Sequence, residues 1–369
     1  MHWTDYLIAA GLSVVLTAAF TVLVRRVAVQ RCVVDRPEAD PTRKIHRQPM
    51  PLLGGLAIYL GYVIVTLIFT YIAPRLLGGY LLPKHLFGLW LGGLVVVVGG
   101  AWDDAKRLSP GRQILFPIIA SLIVVASGIG IQYISNPFGN AIQLDQWRWT
   151  LFTWHGLPYS ITLLADLFTF VWLMGMMYTT KFLDGLDGLA TGITTIGAVA
   201  IFILSVGRTV AQPETALLAA IFAGAGVGFL IFNWHPAKIF LGEGGSVLIG
   251  FLLGTLSIIS GAKIAMALLV MGIPILDVIW IIIRRGIVER RSILTSDRKH
   301  LHFRLLDLGL SQRQVVVLLY VLTGAFGLIG LLLSGREKVW SLAILGGIMI
   351  VLGVIVVKLY NRRQVTRKK

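Results

Sequence analysis

The chain has 369 residues, 56% of them hydrophobic and 14% charged, with a net charge of +16. A soluble domain carries about 25% charged residues, so no soluble fold of this length could bury so much apolar sequence. The positive charge is accounted for by basic loops that orient a membrane protein, and it does not call for nucleic acid. Cys32 is the single cysteine, which excludes an internal disulfide.

The apolar residues fall into runs of about 20, the length that crosses a hydrocarbon core of roughly 30 Å. Backbone polar groups in lipid must be satisfied within the segment, so these runs are helices. Hydropathy places eleven spans at 5–24, 52–72, 85–101, 113–131, 160–179, 189–207, 215–232, 246–260, 264–283, 314–333 and 339–357. The first segment lacks a basic n-region and a small-residue cleavage site and reads as a retained span. The expected fold is an all-α polytopic bundle, a single integral membrane domain over residues 1–369 with no soluble module and no repeat.

Eleven spans put the termini on opposite sides of the membrane. The loops at 25–50, 102–112, 180–188, 234–245 and 284–313, with the tail from 358, hold 26 of the 33 Lys and Arg residues. The other side holds 7. By the positive-inside rule the first set is cytoplasmic, the N-terminus outside and the C-terminus inside. The longest external loop, 132–159, holds Trp147, Trp149, Trp154 and Tyr159, which read as anchors at the membrane interface.

Five stretches at cytoplasmic span ends carry chemistry. Asp103-Asp104 follows an apolar run ending in Gly99-Gly100-Ala101-Trp102, and adjacent carboxylates repel unless a cation lies near; an ordinary polar loop start is the plain alternative. The pair is half of a DDxxD motif, left incomplete by Arg107. Lys181-Phe-Leu-Asp184-Gly-Leu-Asp187-Gly188 sets two acids three apart, on one face if the segment is helical. Carboxylates at this depth are functional candidates by default, although a Gly-Asp reverse turn is the simple alternative. Asn233-Trp-His235-Pro-Ala-Lys238 leads into Phe240-Leu-Gly242-Glu243-Gly-Gly-Ser246, a Gly-rich loop opening a helix. Its free N–H groups would suit an anion, whereas Glu243 would repel phosphate unless it holds a metal. Asp297-Arg298-Lys-His300-Leu-His302-Phe-Arg304 alternates His with Arg, which suits phosphate better than zinc. Arg43-Lys-Ile-His46-Arg47 adds basic donors before Pro49, Pro51, Gly54 and Gly55. No Ser/His/Asp or Cys/His nucleophile set accompanies them. Acids beside cations at one membrane face suggest a divalent cation holding a diphosphate, which is the requirement of phosphoryl transfer.

Taken in order, the DD pair, the DGxDGLA run at 184–190 and the NxxPAxxFxGxGGS run at 233–246 resemble the polyprenyl-phosphate N-acetylhexosamine-1-phosphate transferases. The Asp297-to-Arg304 stretch is similar to the GlcNAc-1-phosphate branch. The resemblance implies transfer of an N-acetylhexosamine-1-phosphate from a UDP-N-acetylhexosamine to undecaprenyl phosphate, with Mg²⁺ or Mn²⁺ and release of UMP, at the cytoplasmic face of the inner membrane. It implies that Asp103 activates or orients the lipid phosphate with Asp104 near the metal. It also implies that Asp184, Asp187 and Asn233 line the nucleotide site, and that Glu243, Asp104 and Asp187 ligate the metal. Arg47, Lys181, Arg298, His300 and His302 would hold the diphosphate or sugar. The lipid bilayer is a partner, and a homodimer is compatible with the pattern. Three positions depart from the family pattern: Glu243 replaces an Asp, Lys181 an Asn and Phe303 a His. The other readings are an inactive family member and a transporter. A transporter would use acids inside spans, of which there are two, Asp166 and Asp277.

Overall fold

The computed structural model describes the chain apart from residues 40–45, 47, 78, 80, 135, 137–138, 155–156, 208–209, 260–263, 290–299, 334–335 and 368–369. Its helices are α1 (Trp3–Gln30), α2 (Gly54–Leu67, continued by a π turn at Ile68–Ile72), α3 (Pro83–Lys106), α4 (Pro110–Gln113), α5 (Leu115–Ala126), α6 (Leu163–Leu183) and α7 (Leu189–Val206). They continue with α8 (Pro213–Asn233), α9 (Gly242–Ile259), α10 (Ile264–Val270), α11 (Gly272–Ile283), α12 (Leu301–Asp307), α13 (Gln312–Leu332) and α14 (Arg336–Arg367). Three antiparallel pairs complete it: β1 (Val34–Asp35) with β2 (Met50–Pro51), β3 (Tyr133–Ile134) with β4 (Ile142–Gln143), and β5 (Arg148–Trp154) with β6 (Leu157–Thr162).

Every expected apolar run is helical, but the runs are not eleven equal spans. Among the described residues nine helices are long and apolar enough to cross a membrane. The run at 264–283 is broken: α10 and α11 meet at 75° around Met271. Pro274 has no N–H to bond the preceding turn, so it falls in the first turn of a new helix rather than inside a continuous one. The run at 113–131 is a shorter helix, Pro110–Ala126, with a turn at Ile114 between α4 and α5. The run at 160–179 begins as a strand, because Tyr159–Thr162 pairs with β5, and becomes helical only at Leu163.

The bundle is built around α8 and α9, whose residues are buried almost throughout, while α14 is largely exposed toward the space that lipid would fill. Lipid gives no hydrophobic reward for helix association, so small residues that let backbones touch decide the packing. Gly224 and Gly228 of α8 abut the α1 backbone at Ala10 and Val14, and Ser13 Oγ donates to the Ile221 carbonyl at 2.7 Å. Gly250 and Gly254 of α9 abut Met176 of α6, and Trp172 Nε1 donates to Gly254 O at 3.2 Å and Ser257 Oγ at 3.1 Å. At the start of α9, Gly244 lies against Gly100 of α3, and Gly245 against Gly55 of α2.

The start of α2 is tied to the same place. Its first N–H groups would otherwise lack partners; Gly54 N donates to Phe240 O at 3.1 Å and Gly55 N to Leu241 O at 2.9 Å. A methyl group on Gly100 would overlap the backbone of α9, whereas one on Gly11 of α1 would meet open space. Overpacking of this kind costs about 1–3 kcal/mol, and Ala is the better helix former by about 1 kcal/mol where it fits. Gly100→Ala should therefore lower the thermal unfolding temperature in detergent and Gly11→Ala should leave it unchanged or raise it. Equal stability of the two variants would contradict the packing described.

Candidate active site

Where α3, α6, α7 and α9 end together, a cleft of about 710 Å³ opens. Asp103, Asp184, Asp187 and Glu243 line it, with Asp35, His46, Asn233, His235 and Phe303. Asp104 lies directly beneath, against Gly242 and Glu243. The five acids singled out in the sequence thus face one region, though they come from three separate stretches of chain.

Three of them are anchored in the same way, through one carboxylate oxygen. Asp103 Oδ1 accepts from Leu108 N at 2.7 Å and from Gln113 Nε2 at 3.0 Å. Asp104 Oδ1 accepts from Glu243 N at 2.9 Å, so an acid of α3 caps the N-terminus of α9 and meets the positive end of its dipole. Gly242 just before it has φ +72, and a side chain there would run into Asp104. Asp187 Oδ2 accepts from Ala237 N at 3.1 Å and lies 2.7 Å from His235 Nδ1. Asp104 Oδ2 is buried without a hydrogen-bond partner.

Asp184 and Asp187 do not sit on a helix. Residues 184–188 form a turn between α6 and α7, so the helical-face expectation gives way to the reverse turn, and both acids reach the cleft from it. Asn233 fixes this turn from behind: its Oδ1 accepts from Gly188 N at 3.1 Å and Thr191 Oγ1 at 3.0 Å, and its Nδ2 donates to Ile239 O at 3.0 Å. Tyr320 of α13 holds the same glycine from the other side, donating to Gly188 O at 2.5 Å. Asn233 borders the cleft, but these bonds go to the protein's own chain.

Lys181 is the cation among the acids. Its Nζ lies 2.5 Å from Glu243 Oε1 and donates to Gln113 Oε1 at 3.1 Å. The chain Asp103–Gln113–Lys181–Glu243–Asp104 therefore closes around the end of α3.

His300 and His302 are placed differently from the sequence reading. Both are buried, at 6% and 2% exposure, and neither lines the cleft; Phe303 does. His300 Nδ1 lies 2.8 Å from Asp277 Oδ2, and Leu301 N donates to Asp277 Oδ1 at 3.0 Å. His302 packs against Gly185 in the acidic turn. Arg47 and Arg298 lie outside the described residues.

The two acids a transporter would have used have local work instead. Asp277 anchors α12, and Asp166 Oδ2 accepts from Thr162 N at 2.7 Å at the start of α6. Sequence reading missed Gln113, His235, Asp35 and Tyr320. Of these only His235, inside the 233–246 stretch, carried a sequence signal.

Among the described residues no three His, Cys, Asp or Glu side chains come together as a ready-made metal cage. The site fits a cation of another kind. Mg²⁺ is usually held by one or two carboxylates, with substrate phosphates and water completing the shell. The buried, partnerless Asp104 Oδ2 and the unused second oxygens of Asp103 and Asp187 suit that arrangement.

Anchored acids and one lysine at the end of a membrane bundle define a membrane-embedded transferase site. Residues 86–261, from α3 to the end of α9, match glycosyl transferase family 4. A decaprenyl-phosphate N-acetylglucosaminephosphotransferase of Mycolicibacterium smegmatis is 33% identical over 340 residues, covering 85% of this chain and 79% of the relative. A probable undecaprenyl-phosphate N-acetylglucosaminyl 1-phosphate transferase of Bacillus subtilis is 29% identical, covering 94% of this chain and 90% of the relative. A phospho-N-acetylmuramoyl-pentapeptide-transferase of Moorella thermoacetica is 28% identical, with 79% and 87% covered. The chain belongs to this family, the polyprenyl-phosphate N-acetylhexosamine-1-phosphate transferase superfamily, and is a glycosyl-1-phosphate transferase.

Burial, then the carboxylates of Glu243 and Asp187, push Asp184 up to about 7. In the unfolded chain an Asp titrates near about 4. Between those two values the folded protein binds the extra proton, so this group makes the fold less stable as pH rises from about 4 to about 7. In EDTA the unfolding temperature should fall from pH 5 to pH 8, and Asp184→Asn should remove a few degrees of that fall. An unchanged slope in the variant would show that Asp184 titrates normally.

Proposed function

We propose that the enzyme transfers N-acetylhexosamine-1-phosphate from a UDP-N-acetylhexosamine to undecaprenyl phosphate at the cytoplasmic face of the inner membrane, releasing UMP. The observation that carries this reading is the set of carboxylates each tied by one oxygen, Asp103 and Asp187 on the cleft wall and Asp104 directly beneath it, with Lys181 paired to Glu243 beside them. The named substrates of the relatives, undecaprenyl phosphate and decaprenyl phosphate, support the acceptor class. A cleft of about 710 Å³ has the capacity for a nucleotide sugar.

In the reaction an oxygen of the lipid phosphate forms a bond to the sugar-bound phosphorus, and the bond from that phosphorus to the bridging oxygen breaks, so UMP leaves with that oxygen. The nucleophile is a phosphate monoester, largely ionised near neutral pH (second pKa about 6), so Asp103 is required to orient rather than to deprotonate it. Asp103 is held for this by Leu108 N and Gln113. Asp184 and Asp187, on a turn clamped by Asn233 and Tyr320, face the nucleotide half of the cleft. Lys181 supplies a fixed positive charge beside Glu243 for the diphosphate. Mg²⁺, held by Asp104, Asp187 or Glu243 and the diphosphate, would neutralise charge that develops on the phosphoryl oxygens. Arg47 and Arg298 are proposed as further phosphate donors. His302 acts from behind, bracing the Asp184–Asp187 turn, and His300 stacks on it.

The test is UMP release by purified protein with undecaprenyl phosphate, Mg²⁺ and a panel of UDP-sugars. Release should require both lipid and Mg²⁺, and Asp103→Asn should lower kcat by about 10²–10³-fold, the loss typical of a group that positions or stabilises the reacting phosphoryl. Full turnover by Asp103→Asn removes its assigned role, and no release with any UDP-sugar removes the proposed reaction.

A further inference from the structure

The hairpin β5–β6 takes no part in the cleft and lies at the other end of the molecule. It runs directly into α6, whose 21 residues rise about 30 Å before reaching Asp184. Lys84, in the first turn of α3, sits 4.9 Å above the ring of Tyr159, so α3 also starts at the hairpin and ends at Asp103 and Asp104.

The register sorts its side chains into two faces. Trp149 pairs with Ile161 and Phe152 with Tyr159, and the last two rings stack at 4.8 Å with 12° between planes. Arg148 pairs with Thr162 and Thr150 with Ser160, whose hydroxyls lie 3.2 Å apart. An irregularity between Thr150 and Phe152 shifts the pairing by one residue and keeps Phe152 on the face of Trp149. One side of the hairpin is therefore aromatic and aliphatic, and the other is hydroxyl and guanidinium.

Apart from Tyr159, over which Lys84 lies, protein leaves the apolar side open: Trp149 is 56% exposed, Phe152 52% and Ile161 44%. Exposed apolar side chains continue along the chain into Leu163, Leu164 and Leu167 of α6, a helix long and apolar enough to cross a membrane. That continuity identifies the occupant. Amphipathic aromatic side chains favour the layer between headgroups and acyl chains, where one part of the residue is dry and the other wet.

We propose that this hairpin lies flat in the interfacial layer of the leaflet opposite the cleft. Trp149, Phe152, Tyr159 and Ile161 dip toward the acyl chains, and Arg148, Thr150, Ser160 and Thr162 face water. Held at that depth, the hairpin fixes the height of α3 and α6, the two helices that carry Asp103, Asp104 and Lys181 at their far ends.

The lone, exposed Cys32 allows a clean test. In a Cys32→Ser background, single cysteines at 148, 149, 150, 152, 160 and 161 are spin-labelled in full-length protein reconstituted into vesicles of phosphatidylethanolamine and phosphatidylglycerol. Collisional access to oxygen, which partitions into lipid, is compared with access to a water-soluble nickel chelate. Labels at 149, 152 and 161 should show an oxygen-to-nickel ratio several-fold above those at 148, 150 and 160. Uniform nickel access along both strands would overturn the proposal. So would exclusion of both reagents from the apolar face with spin–spin broadening between labels, which would identify a second copy of the chain as the cover. Unchanged thermal unfolding temperatures establish that each labelled variant is folded.

Discussion

The site depends on one steric fact: the first turn of α9 touches the backbones of two other helices. Gly244 lies against Gly100 and Gly245 against Gly55, and a Cβ on Gly100, Gly55 or Gly245 would overlap the facing backbone. In lipid such contacts are a main source of helix–helix attraction, because an apolar interface gains nothing from excluding water that is not there. The consequence is positional. With α9 pressed onto α3, Glu243 N comes within 2.9 Å of Asp104, and an orphan donor at a helix start finds an acid from another helix. The loop before α9 is fixed by the same contact, since Phe240 and Leu241 lend their carbonyls to the start of α2.

From this arrangement follows the economy of the acidic cluster. Carboxylates at the edge of a membrane repel one another and lose hydration, and Asp184, pushed up to about 7, registers that cost. The structure answers by giving Asp103, Asp104 and Asp187 one firm hydrogen-bonded oxygen each. Fixing a carboxylate from one side removes its rotational freedom without consuming its ligating capacity. Among the described residues these acids form no closed cage, and under the proposed reaction each would contribute to an ion shared with the diphosphate. The positional order is built into the fold before any substrate arrives, which is what phosphoryl transfer asks of a protein.

The sequence made the spans and the acids legible for a simple reason: both are local signals. A run of apolar residues needs no partner to be recognised, and two acids beside such a run are costly wherever they end up. What stayed hidden depends on contacts between distant segments. Gln113 is an unremarked polar residue until the end of α3 and Lys181 close around it. Tyr320 lies inside a span and gains a role only because Gly188 arrives beneath it. His300 and His302 read as substrate groups from their alternation with Arg, but α12 turns them inward onto Asp277 and Gly185. The β5–β6 hairpin has no strand signature in the sequence, because Arg148–Thr162 mixes apolar and polar residues and its pairing is broken by an irregularity that no strict alternation would reveal.

Two positions that depart from the family pattern, Lys181 and Glu243, contact each other directly, and this changes how both are understood. Taken singly, a longer acid would move a ligating oxygen by one methylene, and a lysine would add charge near the substrate. Together they form a pair: Glu243 Oε1 lies 2.5 Å from Lys181 Nζ while its backbone N–H stays on Asp104. Against a neutral residue and a shorter acid, the pair makes the cluster one charge more positive: the lysine offsets one carboxylate that would otherwise face Asp103, Asp104 and Asp184 unshielded. At an edge of low dielectric this offset is worth more than the same pair in water, and Gln113 holds the ammonium in place from the other side. The two substitutions are thus one structural unit. Changing either alone would break a buried charge balance, and the sensible comparison with a family-like site is the exchange of both residues at once.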